Sequence, residues 1–305
     1  MDTRDLEELL EKARLCVEKN KGIVLPEHTP YLGMGASYYA ALTLWFLGKD
    51  ILPYEAFEYY AYQGKPKEKL GVLISQSGES SELLWNLARF KDVVAITNDA
   101  ESSLAKAVNA KQVVELYAGK EEFVSIKTYF NTLLVLYLGL GFDPRKVLDA
   151  IEKQFSAYRG QAQERAQEIA EYMRGRKLKG LFVLGSGPNA PTAMEGALTL
   201  SEATKFAWQG LSPAQYDHGP KETMQDSVVL FLQSNGKDKE RIAHLKKLLS
   251  AKSNALVREI VVSGVPEELS PFCHIVQLNF LMVFLTKALG VKAEFMGEKI
   301  TRTPL

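Results

Sequence analysis

Leu70-Gly-Val-Leu-Ile-Ser-Gln-Ser-Gly-Glu-Ser-Ser-Glu-Leu-Leu-Trp85 is the stretch that decides how this chain folds. Leu70 to Ile74 is a short apolar run of the kind a buried parallel strand uses. Ser75, Gln76, Ser77, Gly78, Glu79 and Ser80 follow, small or polar throughout, and then Leu83, Leu84 and Leu87 recur at helical spacing. Strand, hydroxyl-rich turn and helix in that order put the turn at the carboxyl end of a strand and the amino end of a helix. Backbone N–H groups and the helix dipole favour an anion there, and serine hydroxyls add donors that suit phosphate oxygens. Gly78 lets backbone approach a ligand or take a φ that other residues avoid. A serine that only caps the helix, beside a glycine that only turns the chain, would give the same local pattern.

The rest of the chain supplies the frame. At 305 residues and 46% hydrophobic content it is long enough for two separately cored domains. Lys+Arg and Asp+Glu both total 37, so no basic surface for nucleic acid is indicated. Cys16 and Cys273 lie far apart without metal-ligand spacing, which fits a reduced setting. The apolar stretches Leu133 to Leu140 and Leu278 to Leu285 are shorter than a bilayer span, and Met1 to Asp5 is charged rather than signal-like. A cytoplasmic protein without metal or cofactor is the expectation.

In chain order, residues 6–17 read as an amphipathic helix, and Tyr31-Leu32 as a strand running into Gly33-Met-Gly-Ala-Ser37 and an apolar helix to Leu47. Strands follow at 51–56, 70–74, 93–97 and 112–116. Asn98-Asp99 is read as the cap of a helix through Val108, and Phe57 to Tyr62 as packing aromatics. A helix start with acidic residues in its first turn, Glu121 to Thr128, leads into an apolar helix ending near Leu140. Charged helical sequence from Arg145 to Arg176, poor in Gly and Pro, bridges to a second half that restarts the first. There a strand (179–184), the turn Gly185-Ser-Gly-Pro-Asn189 and a helix (192–203) parallel residues 31–47. Strands at 228–232 and 255–262 and a buried helix over 272–289 complete it. The expected fold class is α/β: tandem doubly wound domains, each a parallel sheet flanked by helices.

Three further segments carry side chains suited to proton chemistry. Glu195-Gly-Ala-Leu-Thr-Leu-Ser-Glu202 places two carboxylates close to two helical turns apart, on one face; spacing alone equally describes two surface glutamates. Tyr216-Asp-His-Gly-Pro220 sets His218 before a rigid turn, and histidine exchanges protons near neutral pH. The tail Gly297-Glu-Lys-Ile-Thr-Arg-Thr-Pro-Leu305 would ordinarily be dismissed as a frayed end.

Taken together, these strings resemble the sugar isomerase (SIS) family, in particular the isomerase half of glucosamine-6-phosphate synthases and the stand-alone archaeal-type glucosamine-6-phosphate deaminases. Ser75 to Ser80 resembles the family's phosphate loop, and Gly35-Ala-Ser-Tyr38 a phosphate- or sugar-contacting turn. Val124-Ser-Ile-Lys127 resembles the segment bordering the sugar. The resemblance implies phosphate and sugar binding by Ser37, Ser75, Gln76, Ser77, Ser80 and Ser125. It implies that Glu202 shuttles a proton between C1 and C2, that His218 opens the sugar ring from the neighbouring subunit of a homodimer, and that Lys299 reaches the sugar carbonyl carbon. Lys127 is read as structural, and Thr199 departs from a family lysine, which leaves the sugar open. Implied domains are an N-terminal helix (1–22), a first SIS domain with the phosphate loop (23–144), a helical connection (145–178), a second SIS domain (179–290) and an active-site tail (291–305). The synthases begin with a glutaminase domain, whereas this sequence goes from Met1-Asp2 into the isomerase strings. The expected reaction is therefore deamination of glucosamine 6-phosphate. Another phosphosugar isomerase or deglycase, and a non-catalytic phosphosugar sensor, are the alternatives.

Overall fold

The computed structural model describes residues 3–63, 68–121 and 123–296, which form two compact units: the first holds residues 7–148 with 295–296, the second residues 149–294 with 3–6. After the short helix α1 (Arg4–Glu7) comes α2 (Leu9–Lys19), whose Leu9, Ala13 and Cys16 turn inward at helical spacing. In order, β1 (Pro30–Gly33), α3 (Ala36–Phe46), β2 (Leu52–Glu55), a single turn α4 (Ala56–Glu58), β3 (Glu68–Ile74), α5 (Ser81–Asn86), β4 (Phe90–Thr97), β5 (Ala110–Glu115) and α6 (Lys127–Gly139) follow. The five strands are all parallel, in the order β2-β1-β3-β4-β5. Leu32 pairs with Leu73 and Leu73 with Ala95, so the middle strands are apolar on both faces and bury them completely. Each such Leu or Val contributes about 1.5–3 kcal/mol by leaving water. Chain order reverses between β1 and β3, and open parallel sheets bind ligands beyond the strand ends at such a crevice. The loops after β1 and β3 are those singled out in the sequence.

α7 (Arg145–Met173) makes one continuous helix over most of the charged helical stretch Arg145 to Arg176. The second unit contains β6 (Gly180–Leu184), α8 (Asn189–Thr204), β7 (Gln209–Leu211), α9 (Pro213–Asp217), β8 (Ser227–Gln233), α10 (Lys239–Lys252), β9 (Leu256–Val261) and α11 (Ser270–Ala288). Its parallel order β7-β6-β8-β9 repeats the β2-β1-β3-β4 pattern, which supports the internal duplication. α11 is long and apolar enough to cross a membrane by length and composition, yet it is almost wholly buried within the protein. It is a core helix.

Two expectations are corrected. Residues 98–109 form turns rather than a helix, because Asp99 accepts the Glu101 amide (2.8 Å) and the Leu104 amide is diverted to the Gly78 carbonyl (3.0 Å). The aromatic run 57–62 packs only in part. Tyr59 is buried and stacks on Phe90, whereas Tyr62 is 77% exposed.

His274 of α11 is fully buried, and both its ring nitrogens are without a hydrogen-bond partner among the described residues. Burial pushes its pKa from 6.5 down to about 3. Below pH 6.5 the unfolded chain takes up a proton that the folded chain refuses, so stability falls as pH drops from 6.5 toward about 3. His274→Leu is expected to flatten the fall of Tm over this window relative to the parent. Equal slopes would remove His274 from the acid response.

Candidate functional site

The loop after β3 is held by its own hydroxyls. Ser75, almost wholly buried, donates its amide to the Ile96 carbonyl (3.0 Å), and its Oγ lies 3.0 Å from the Ser80 Oγ. The Gly78 amide donates to both the Ser75 carbonyl and Oγ (3.1 Å each), closing a tight turn. Gly78 takes φ +64°, and a Cβ there would lie 2.0 Å from the Ser102 Oγ, so only glycine fits. The Ser77 Oγ accepts the Glu79 amide (3.2 Å) and keeps its own proton to donate. The Glu79 carboxylate accepts the Ser103 amide (2.7 Å) and hydroxyl (3.0 Å), anchoring the loop's far side. Gln76, Ser77 and Ser80 are half-buried beyond the end of β3. α5 has only six residues, so hydroxyls and loop amides rather than a long helix dipole would supply the binding.

The loop after β1 is equally tight. A Cβ at Gly33 would lie 2.6 Å from the Tyr38 amide nitrogen, Gly35 takes φ +48°, and half-buried Ser37 sits in the first turn of α3. Half-buried Ser125 lies between the buried Val124 and Ile126, just ahead of α6. Lys127 is 2% exposed; its Nζ contacts the Glu8 carboxylate (2.6 Å) and the Lys120 carbonyl (3.2 Å), so its role is structural. The five loop and turn residues Ser37, Ser75, Gln76, Ser77 and Ser80, and Ser125, all belong to the first unit.

Glu202 and His218 belong to the second unit. Glu202 is half-buried in the last turn of α8, whereas Glu195, a turn pair earlier, is completely buried rather than a surface residue. That last turn is rigid. The Ser201 Oγ donates to the Ala197 carbonyl (2.7 Å) and accepts the Trp208 amide (2.9 Å), and Lys205 ends the helix at φ +63°. Buried Thr199 turns its hydroxyl back to the carbonyls of Glu195 and Gly196 (3.2 Å each), so it does not replace a family lysine in kind. His218 is exposed at the end of α9, its amide bonded to the Ala214 and Gln215 carbonyls. Beside it, a hydrogen bond from Lys221 (2.8 Å) holds the Asp217 carboxyl below its usual range. Lys299 and the tail around it lie outside the described residues.

A cavity of about 530 Å³ in the first unit is lined by Gln76 of the loop and by Lys12, Asn98, Tyr117, Lys120 and Glu121. A larger one, about 1250 Å³, lies along α7 and the end of α11 beside Arg165, Glu168, Arg258 and Lys287, and includes none of the residues singled out in the sequence. Among the described residues no cluster of His, Cys, Asp or Glu is arranged to hold a metal ion.

Sequence reasoning missed the residues that brace these loops: Asn98, Glu79 with Ser103, and Glu121. Their signal was faint, an Asn after a strand and acidic residues near helix starts, which reads as ordinary capping.

No family model matches the chain. A glutamine–fructose-6-phosphate aminotransferase (isomerizing) of Pyrococcus horikoshii is 30% identical over 295 residues, covering 85% of this chain and 48% of that protein. Among solved structures, the C-terminal domain of glucosamine-fructose-6-phosphate aminotransferase from Francisella tularensis superposes with a TM-score of 0.76 at 17% identity, covering 94% of this chain and 96% of that one. The resemblance to the sugar isomerase family holds. A second structure with the sugar isomerase fold, glucosamine-6-phosphate deaminase from Thermotoga maritima, superposes with a TM-score of 0.71 at 19% identity, covering 95% of this chain and 96% of that one. At these identities the structures speak for the fold. The chain spans at most about half the length of the first curated relatives it matches.

Proposed function

We propose that this chain is a phosphosugar aldose–ketose isomerase of the SIS type, acting as a deaminase: glucosamine 6-phosphate and water give fructose 6-phosphate and ammonia. The observation that carries the reading is the Ser75–Ser80 loop, a glycine-turned cluster of hydroxyls at the chain reversal of a parallel sheet. It suits a phosphate, and the relatives it brings to mind act on fructose 6-phosphate by name. In this reading Ser37, Ser75, Gln76, Ser77, Ser80 and Ser125 hold the phosphosugar. His218, contributed by the second subunit of a homodimer, moves the proton that opens the ring. Glu202 removes the C2 proton and returns it at C1, leaving an imine at C2 whose hydrolysis releases ammonia. Lys299 reacts at the carbonyl carbon. No cofactor is needed for a proton shuttle of this kind.

Thr199, whose hydroxyl is spent on its own helix, favours one further possibility, that the sugar differs from glucosamine. The test is release of ammonia and fructose 6-phosphate from glucosamine 6-phosphate with nothing else added. Equimolar release of both is expected. No release from this sugar but turnover of another phosphosugar would move the substrate, and binding without turnover of any would make the protein a sensor.

A further inference from the structure

The phosphate loop and the Val124–Ser125 segment are far apart in sequence, yet two groups of hydrogen bonds, linked by the main chain from Gly119 to Lys120, run from the loop to residues 126–128 just beyond that segment. The Asn98 amide donates to the Gln76 carbonyl (3.0 Å), which also accepts the Thr97 hydroxyl (3.2 Å). The Asn98 side chain reaches the other way. Its Nδ2 donates to the Gly119 carbonyl (2.7 Å), and its Oδ1 accepts the Ala118 amide (2.8 Å). Between these segments Tyr117 is held at φ +52°, a left-handed conformation that a non-glycine residue keeps only where neighbours impose it. Next, the Lys127 Nζ grips the Lys120 carbonyl. The Glu121 carboxylate accepts the amides of Ile126 (2.8 Å), Lys127 and Thr128 (3.3 Å) and the Thr128 hydroxyl. Burial pushes the Glu121 pKa up while these donors pull it down, and the carboxylate faces N–H and O–H donors of the following helix start. Gln76, Asn98 and Glu121 line one cavity, which places the brace against the loop itself.

We propose that Asn98 is a positioning residue that, with Glu121, holds the sugar-side segment Val124–Ser125 in register with the phosphate loop. The proposal rests on the reading of those two segments as the phosphosugar site. Both contacts that Asn98 makes toward the sugar side come from its side chain, whereas its contact with the phosphate loop is made by the main chain. A side-chain substitution therefore separates the two.

In Asn98→Ala the Gln76 bond survives and the bonds to Ala118 and Gly119 are lost. Inorganic phosphate affinity is expected to stay within about twofold, while kcat/KM for glucosamine 6-phosphate falls by about 10- to 100-fold, the scale set by a misplacement near 1 Å. Asn98→Asp keeps the acceptor for Ala118 and loses the donor to Gly119, so it should recover part of the loss. Glu121→Gln, which replaces one acceptor oxygen by a donor, should reproduce the defect. Amide exchange at Ala118 and at Ile126 to Thr128 should accelerate in Asn98→Ala. Parallel losses of phosphate and sugar-phosphate affinity, or no loss of either, would overturn the proposal. A parent that shows no preference for glucosamine 6-phosphate over phosphate would refute the function and the sugar-side role together. Amide exchange then decides the brace independently, and unchanged protection in Asn98→Ala would refute it as well.

Discussion

Glu202→Gln is expected to bind phosphosugar within about twofold of the parent and to lose about 10²- to 10⁴-fold in turnover, the usual reach of a general base. The substitution keeps the shape of the side chain and removes its charge and its ability to take a proton, at the cost of one acceptor oxygen becoming a donor. Its setting makes the result interpretable. The last turn of α8 is pinned on both sides of Glu202 by Ser201 to Ala197 and Trp208, and by the buried Ala203. The Trp208 indole also donates to the Thr204 hydroxyl (3.2 Å), a further tie on this turn made without the Glu202 carboxylate. A loss of turnover with unchanged Tm would then be chemical. The direct readout is deuterium wash-in at C1 and C2 of the bound sugar followed by NMR. Exchange at the parent's rate would take Glu202 out of the mechanism and leave the proton shuttle to another group.

Much of the fold was legible because it is built from the plainest signals. Leu70 to Ile74 and Val93 to Thr97 are short apolar runs, which central parallel strands require since both faces are covered. The repeat of strand, glycine turn and helix at Gly33 and Gly185 is a sequence signal of the strand order that both sheets share. What escaped was tertiary. Residues 98–109 have helical composition, but the Leu104 amide is claimed by Gly78 and the Asp99 side chain claims a local amide, and nothing in the local pattern announces either bond. α10 went unread although Ile242, Leu245, Leu248 and Leu249 recur at helical spacing, because they are set among charged residues that read as solvated surface. In the candidate site, the residues with recognisable strings were legible and their supports were not. Glu195 looked like the surface twin of Glu202, yet it lies in the core. Burial of a carboxylate is set by what packs over its helix, and sequence spacing reports only the face.

Gly78→Ala is expected to reduce phosphosugar and inorganic phosphate affinity together by at least about 100-fold, with a stability loss of about 1–3 kcal/mol from the backbone alone. Two costs combine at this position. An alanine must be held at φ +64°, and its Cβ would meet the Ser102 Oγ at 2.0 Å and the Ser102 Cβ at 2.4 Å. Ser102 is short and 2% exposed, and it accepts the Ala105 amide, so it cannot swing away as a long side chain would. The loop has to move instead. Its amide and carbonyl bonds to Ser75 and Leu104, and with them the facing of Ser75 to Ser80, move too. Gly22→Ala is the matched control, since Gly22 also has a left-handed φ (+80°) but open space around its Cβ position. It should show the backbone cost with phosphate affinity unchanged. Adding Ser102→Gly to Gly78→Ala clears the collision and leaves the strain, so affinity should return in part. If the double variant binds no better than Gly78→Ala, the packing of Gly78 on Ser102 does not set the loop. If Gly78→Ala binds phosphate like the parent, Ser75 to Ser80 is a structural turn, and the anion site lies elsewhere.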